Sequence, residues 1–444
     1  MSGCSRRLAS GTCWLLALLT LGLFPLAAFA EEPQDSQAAA TPVAPQQDTL
    51  ATGQEPPQEA EPEIRLVLRT DHEGNGGRQL AVEGLPLWQY LRPYLLLRFG
   101  AIYEDWDETN RVYHKAGFQV YNGRIGLKGS YNGLSTDDMK VKFFFMVSGD
   151  FASGGSLKDA YADLELGWEK VSLGLRFGVM KVPFLYSEME GDEVLYFFHR
   201  PQYVAPYASD YLTDLVRIGM DRHGGAGLYL TLLNRALTIQ GGVYYPLSKP
   251  EEYRWELAVA AARIDFNTRD WIHDKVRLEL GGGYFRQGQM PQELENSRYA
   301  FATDARIYAY GAFVGGEWAL QIMDDQASKA DYRRARYKNA YSWAMGYQVF
   351  AGYSFPHREY EIAVRYQWWD PDDTNLDKPI PQSANQALRW LTVGASWWPI
   401  NIVRLMANYT VKWELEAAEV EGFTVDRLKK VKNNEFDFAI QIMI

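Results

Sequence analysis

Hydrophobic and polar residues alternate along most of this chain. The clearest example is the C-terminal segment EFDFAIQIMI, where Phe436 and Phe438 lie on one face and Glu435 and Asp437 on the other. A period of two is typical of a β-strand that separates an apolar from a polar environment. The pattern recurs in about sixteen segments, and we therefore predict an all-β protein. The predicted strands begin near residues 94, 117, 139, 157, 171, 226, 236, 255, 276, 305, 316, 341, 358, 388, 402 and 434.

The gaps between the predicted strands are of two kinds. Gaps after odd-numbered strands are mostly long, for example residues 182–225 and 324–340, whereas gaps after even-numbered strands are mostly short, for example 169–170 and 399–401. Long extracellular loops and short periplasmic turns are typical of outer-membrane barrels. The strands of a soluble sandwich or a secreted lectin also alternate between apolar and polar residues. Such a protein is not expected to have long loops after odd-numbered strands and short turns after even-numbered ones. We therefore predict a transmembrane antiparallel β-barrel over residues 94–444, with both ends in the periplasm.

The residue composition is consistent with a membrane location. The chain has 28 Tyr, 14 Trp and 21 Phe, and pairs such as Trp368–Trp369 and Trp397–Trp398 fall at predicted strand ends, where aromatic residues mark the membrane–water interface. A transmembrane helix needs about 20 consecutive apolar residues, and no segment after residue 30 supplies them. If the chain crosses a membrane, it must do so with closed β-strands.

Three segments precede the predicted barrel. Residues 1–30 combine two arginines, an apolar run and Ala28–Phe29–Ala30, which is the pattern of a cleaved secretory signal peptide. Residues 31–62 are rich in Gln, Pro, Ala and Glu and predict a disordered periplasmic linker, either passive or binding another envelope component. Residues 63–93 form a short N-terminal segment. The predicted location is therefore the bacterial outer membrane.

Cysteine content and charge exclude several other classes of protein. Cys4 and Cys13 are the only cysteines, and both leave with the signal peptide, so the mature chain has no disulfide framework and no cysteine nucleophile. The formal net charge is -11, and residues 31–62 contribute seven acids and no base. The sequence does not show the excess of basic residues that is typical of a nucleic-acid-binding protein. We predict neither a nucleic-acid partner nor a cofactor.

No enzyme motif accompanies the barrel pattern. The six histidines are scattered, mostly in predicted loops, and the sequence lacks Gly-x-Ser-x-Gly, His-Glu-x-x-His and Walker motifs. We therefore predict a protein without enzymatic activity. The main prediction is a porin, a water-filled channel for passive diffusion of small hydrophilic solutes. The alternative is a structural or adhesive outer-membrane barrel without an open pore.

The longest predicted loop, residues 182–225, is the candidate filter of the pore. A barrel of about sixteen strands is too wide for its wall side chains to fill, so a long loop can fold inward and narrow the lumen. The loop carries acids such as Glu188 and Glu190 early and bases such as Arg200 and Arg222 later, which suits a mixed-charge constriction. The alternative interpretation is a solvated surface loop.

Basic side chains outnumber acidic ones at the predicted inward positions. Basic residues in the predicted outer loops attract anions, but anionic lipopolysaccharide favours the same residue types, and both interpretations stay open. We expect membrane lipid and lipopolysaccharide around the barrel and small hydrophilic solutes or anions inside it. The residues predicted to line the pore or bind solute are Arg98, Arg124, Lys128, Arg176, Lys181, Arg200, Arg217, Arg222, Arg277, Arg365 and Arg404.

Several sequence blocks occur in the order found in a known channel family. They are LKDAYADLELGW, LRFGVMKVPFLYSEMEGDE, VGGEWALQIMDD, NAYSWAMGYQVFAGYSF, EYEIAVRYQWWDPDD and LTVGASWWPINIVRLMANYTV. Within the second block, Gly178, Lys181, Pro183 and Phe184 match a Gly-x-x-Lys-x-Pro-Phe turn into a long loop. Over most of the predicted barrel the chain thus resembles the phosphate-selective porin O and P family. Glu317 and Arg365 fall where that family tends to have a strand Glu and Arg. The resemblance implies a sixteen-stranded trimeric channel, often anion-preferring.

Overall fold

The computed structural model describes most of the predicted barrel and two short segments before it. The predicted signal peptide and linker lie outside the described residues. The described residues are 65–70, 78–83, 91–108, 111–131, 136, 138–152, 155–191, 195–197, 199–201, 218, 220, 222–246, 258–268, 271, 275–287, 298–324, 341–355, 359–370, 388–417, 428–431 and 434–443.

These residues form β-strands and one short helix. Among them, no helix is both long enough and apolar enough to cross a membrane. The elements are β1 (Arg65–Thr70), β2 (Arg78–Glu83), β3 (Leu91–Glu108), β4 (Arg111–Tyr131), β5 (Lys140–Asp150), β6 (Ser156–Gly167), β7 (Ser172–Lys181), α1 (Tyr186–Met189), β8 (Arg222–Leu232), β9 (Leu237–Pro246), β10 (Val259–Asn267), β11 (Val276–Gln287), β12 (Arg298–Ala309), β13 (Ala312–Asp324), β14 (Tyr341–Ser354), β15 (Tyr360–Asp370), β16 (Leu388–Ile400), β17 (Val403–Ala417), β18 (Leu428–Val431) and β19 (Glu435–Met443).

The strands from β3 onward close into an antiparallel barrel. Each strand pairs with its neighbours in sequence, and β19 pairs with both β17 and β3. The wall thus has sixteen strands, β3 to β17 and β19. The short β18 pairs with Glu414–Ala417 of β17, beyond the segment that pairs with β19. The predicted sixteen-stranded all-β barrel is confirmed, while β1 and β2 form a separate antiparallel hairpin.

The two faces of the wall have opposite chemistry. On β19, Phe436 and Phe438 are 45% and 39% exposed, whereas Glu435 and Asp437 are 1% and 0% exposed. The apolar side chains therefore point outward and the charged ones point inward, which is the reverse of a soluble barrel. This arrangement is stable when lipid surrounds the outer face.

The connections at the two ends of the barrel differ in length. Short turns at 233–236 and 310–311 lie at one end, and long connections at 182–221 and 325–340 lie at the other. Long and short connections therefore lie at opposite ends at most positions, and the assignment of the long ones to the extracellular side stays a prediction. Two connections are exceptions, because residues 109–110 between β3 and β4 and residues 151–155 between β5 and β6 are short although they lie at the long-loop end. The start of β3 and the end of β19 both lie at the short-turn end.

A β-bulge in β4 changes which face one residue occupies. The alternation in the sequence puts Tyr121 on the outer face together with Ile125. In the structure the pairing with β3 passes from Asn122 to Val120 and skips Tyr121, which is therefore the extra residue of a bulge. The Tyr121 ring instead packs edge-on against His199 inside the barrel, with centroids 5.8 Å apart. The prediction for Tyr121 was wrong, because an inserted residue inverts the parity that follows it.

A charge placed on the outer face tests whether lipid surrounds it. Val393 of β16 is 54% exposed and lies at the middle of its strand pairings. We expect Val393→Arg to lower the free energy of unfolding in lipid vesicles by about 2–4 kcal/mol, since Arg is costly near the bilayer midplane. Val393→Leu is the matched control and should unfold at nearly the wild-type urea concentration. Equal stability of the Arg and Leu variants would show that this face does not meet hydrocarbon.

Candidate functional site

Residues 182–191, 195–197 and 199–201, which are the described residues at the start of the connection between β7 and β8, fold into the barrel. We call these described residues the inward loop. Three arginines on three different wall strands donate hydrogen bonds to its backbone carbonyl groups. These bonds run from Arg263 Nη1 to Phe184 O, from Arg365 Nη1 to His199 O and from Arg404 Nη1 to Leu195 O, and each is 2.8 Å long. The described part of the predicted 182–225 loop therefore lies in the lumen and is not a solvated surface segment, whereas residues 192–194, 198 and 202–217 of that prediction lie outside the described residues.

Apolar side chains anchor the start of the inward loop. Val182, Phe184 and Leu185 are fully buried, and the Phe184 ring meets Phe285 of β11 edge-on with centroids 4.7 Å apart. The facing wall carries alanines, whose small side chains leave room for the larger loop residues. These alanines are Ala261, Ala300, Ala302, Ala319 and Ala344. Burial of each large side chain contributes about 1.5–3 kcal/mol, so the loop is held by packing as well as by hydrogen bonds.

A glycine on β11 permits the closest approach between the loop and the wall. A Cβ atom at Gly283 would lie 2.3 Å from the carbonyl oxygen of Phe184. Gly283 alternates with the buried Phe285 and therefore faces inward. Only a residue without a side chain lets the loop backbone lie directly on the strand here.

Two buried acids hold the short helix α1 in place. Glu317 of β13 accepts hydrogen bonds from the Ser187 backbone N–H at 2.9 Å and from the Ser187 hydroxyl at 2.6 Å. Glu188 accepts a hydrogen bond from the Met220 backbone N–H at 3.0 Å, which ties the two ends of the long connection together. Glu317, identified by family resemblance, therefore positions the loop.

Glu190 joins the helix to the basic side chains of the loop. Its carboxylate accepts a hydrogen bond from the Tyr186 hydroxyl at 2.9 Å. Its backbone carbonyl accepts hydrogen bonds from Lys181 Nζ at 2.5 Å and from Arg200 Nη2 at 2.7 Å. Burial raises the pKa of the Glu190 carboxyl above its usual value, although the charge of Arg306 acts in the opposite direction.

Several of the predicted pore residues form ion pairs with acids. The shortest distances between charged atoms are 3.7 Å for Arg124–Asp150, 2.7 Å for Arg176–Asp163, 2.9 Å for Arg222–Asp159, 2.9 Å for Arg277–Glu279 and 2.8 Å for Arg404–Glu361. A carboxylate in contact cancels much of the field of a guanidinium at longer range. The excess of basic over acidic residues at the predicted inward positions therefore overstates the positive field that a solute would meet.

The other predicted residues make different contacts. Arg98 donates a hydrogen bond from Nε to Gln441 Oε1 at 2.9 Å, across the junction of the first and last barrel strands. The Lys128 ammonium lies over the Tyr94 ring, 4.4 Å from its centroid. Arg217 lies outside the described residues. Whether these side chains contact a solute stays a prediction.

An inward charge cluster on β10, β11 and β12 was not predicted from the sequence. Arg263 Nη2 lies 2.7 Å from Asp304 and 2.6 Å from Asp265, and Arg306 Nε lies 2.9 Å from Glu279. Asp304 was missed because the predicted tenth strand began near 305, whereas β12 begins at Arg298. The alternation of Ala261, Arg263 and Asp265 was the available signal for the inward face of β10.

Comparison with solved structures reveals similar folds at low sequence identity. An anion-selective porin from Comamonas acidovorans is 12% identical, with a TM-score of 0.53, and the match covers 80% of this chain and 99% of that one. OmpT of Vibrio cholerae in its trimer form is also 12% identical, over 80% of this chain and 99% of that one, but its TM-score of 0.49 supports no argument. The first likeness shows the fold alone.

Sequence comparison identifies the family. No curated protein matches the chain. The family described as "Phosphate-selective porin O and P" matches residues 95–421, which is most of the chain and nearly all of the barrel. The chain therefore belongs to the phosphate-selective porin O and P family and is an outer-membrane porin.

Proposed function

We propose that the inward loop is the constriction of this porin and that basic side chains around it favour small anions. The observation that carries the proposal is the convergence of Arg263, Arg365 and Arg404, from three wall strands, on the loop backbone. Lys181 and Arg200 add positive charge within or beside the loop itself. Positive groups that line a narrow, partly desolvated passage raise the local concentration of anions.

Acidic side chains around the same passage moderate this preference. Arg404 contacts Glu361, Arg263 contacts Asp304, and Glu317 binds the loop directly. Each of these carboxylates offsets part of the positive field. We therefore propose a modest preference for small anions over cations, with passive diffusion, rather than a pathway that binds phosphate alone.

The names of similar proteins agree with an anion preference. The family is described as phosphate-selective, and the Comamonas acidovorans porin is described as anion-selective. These descriptions belong to those proteins. Their transfer to this chain rests on the arginines around the inward loop and on the reversal-potential experiment below.

We further propose that the porin works as a homotrimer after cleavage of the signal peptide at residues 1–30, with residues 31–62 as a periplasmic linker. The family resemblance supports the trimer, and the sequence pattern supports the cleavage. Exposed apolar residues such as Phe118 and Ile125 support contact with membrane lipid and lipopolysaccharide. Passive diffusion requires no catalytic group, and we propose no enzymatic activity.

Reversal potentials in a salt gradient test the anion preference. We expect the purified porin in a planar bilayer with a KCl gradient to give open-channel steps and a reversal potential of the anion-preferring sign. Arg365→Gln should reduce the ratio of anion to cation permeability several-fold, because it removes a positive charge at the loop. Arg365→Lys should retain most of the ratio, since it keeps the charge.

Arg235→Gln is the matched control for charge removal. Arg235 lies in the short turn between β8 and β9, with its side chain 63% exposed, so salt screens its field. Its substitution should leave the reversal potential nearly unchanged. A cation-preferring wild type, or equal effects of the two Arg→Gln changes, would contradict the proposal. A sealed barrel without open-channel steps would favour the structural or adhesive alternative.

Steric displacement of the loop tests whether it is the constriction. We expect Gly283→Val to raise single-channel conductance, because its side chain would occupy the position of the Phe184 carbonyl group. The same change should lower the free energy of unfolding by about 1–3 kcal/mol, as overpacked sites do.

Gly282→Val is the control on the same strand. A Cβ atom at Gly282 meets nothing closer than the Ala302 carbonyl oxygen at 3.5 Å. This variant should keep the wild-type conductance. If Gly283→Val folds and conducts like Gly282→Val, the narrowest part of the channel lies elsewhere.

A further inference from the structure

Three side chains with metal-ligating atoms meet where the inward loop contacts the last strand. His199 comes from the loop, and Glu435 and Asp437 come from β19. The His199 Nε2 atom lies 3.4 Å from Glu435 Oε1 and 3.6 Å from Asp437 Oδ2. One ligand atom from each of the three side chains lies within 4.8 Å of the other two.

These separations match those of ligands around one metal ion. Nitrogen and oxygen ligands lie about 2.0–2.2 Å from zinc, so two ligands of a tetrahedral ion are about 3.3–3.6 Å apart. The two distances from His199 fall in or at the edge of this range. A single ion can therefore contact all three side chains after only small movements.

The Asp437 carboxylate provides a second, independent observation. Asp437 is 0% exposed, and within the described part of the chain its Oδ2 atom accepts no hydrogen bond, while His199 Nε2 lies 3.6 Å away as an ion-pair contact. A buried carboxylate oxygen without a donor is costly unless a cation compensates it. This atom points at His199 Nε2, so the ligand atoms of the cluster face one another.

The net charge of the groups around the cluster is negative, which favours binding of a divalent cation. Lys412 Nζ lies 2.6 Å from Glu435 Oε2 and 2.9 Å from Glu104, so Glu435 keeps its other oxygen toward His199. The carboxylates of Glu104, Glu435 and Asp437, the Lys412 ammonium and the Arg365 guanidinium on the His199 carbonyl sum to one negative charge when His199 is neutral. This negative charge favours a bound cation, and Lys412 and Arg365 moderate its affinity.

The neighbouring groups orient the ligands as an outer shell does in metal sites. The Tyr121 hydroxyl donates to Asp437 Oδ1 at 3.4 Å, and its ring packs edge-on against His199. The backbone carbonyl of His199 accepts the hydrogen bond from Arg365. The bulge that turns Tyr121 inward therefore contributes directly to this cluster.

We propose that His199, Glu435 and Asp437 form a binding site for a divalent transition-metal ion of the zinc class. One imidazole and two carboxylates suit such ions, whereas Mg²⁺ prefers ligand sets made of oxygen alone. The bound ion joins the inward loop to the barrel wall. Binding itself is independent of the proposed function, and only its effect on conductance rests on the loop being the constriction.

Calorimetric titration of the full-length porin in detergent with ZnCl₂ tests the site. The protein carries no histidine tag, and the titration is run at pH 8, where protons compete little with the metal. We expect one Zn²⁺ per chain, with MgCl₂ unable to compete at equal concentration. His199→Gln and Asp437→Asn should each weaken binding at least about tenfold, as loss of a ligand does.

His114→Gln is the matched control, because His114 also contacts an aspartate, Asp105, at 2.9 Å but has an exposed side chain. This variant should bind Zn²⁺ as the wild type does. Absence of Zn²⁺ binding by the wild type, or unchanged affinity in both His199→Gln and Asp437→Asn, would overturn the proposal. Conductance measured without zinc reports on the channel separately, so failure of the metal site and failure of the proposed function are distinguishable.

Discussion

Closure of the sheet is the constraint on which the rest of this structure depends. In hydrocarbon, an unpaired backbone N–H or C=O group costs several kcal/mol, so a membrane sheet cannot keep a free edge. The pairing of β19 with β3 removes that edge. Closure fixes which face of every strand meets lipid and which faces inward, and the even strand number returns both ends of the barrel to the short-turn end.

A closed barrel of this width encloses a wide lumen, and the inward loop occupies part of it. Wall side chains alone cannot fill the lumen. The loop that enters it brings backbone carbonyl groups that need donors in a partly buried place. Arg263, Arg365 and Arg404 supply those donors, while inward alanines and Gly283 supply the space. The same three arginines thus hold the described part of the loop against the wall.

Much of this architecture follows from sequence, because strand alternation and loop length depend on local chain order. The sixteen strands, the outward Phe436 and the inward Glu435 are all predictable in this way. The contacts between residues that are distant in sequence are not predictable in this way. A single inserted residue turned Tyr121 inward, and nothing near His199 in the sequence indicates that it meets Asp437. Such contacts depend on register around the whole barrel.

Because these contacts are not predictable from local sequence, the number of charged residues at alternate, inward positions is an incomplete guide to ion selectivity. Parity correctly puts Arg176 and Arg404 on the inner face, but it does not show that Asp163 and Glu361 lie against them. A paired guanidinium acts on a passing ion mainly as a dipole, whose field decays faster than that of a charge. Under the proposed function, selectivity depends on which charges border the inward loop, and the number of basic residues along the wall matters less.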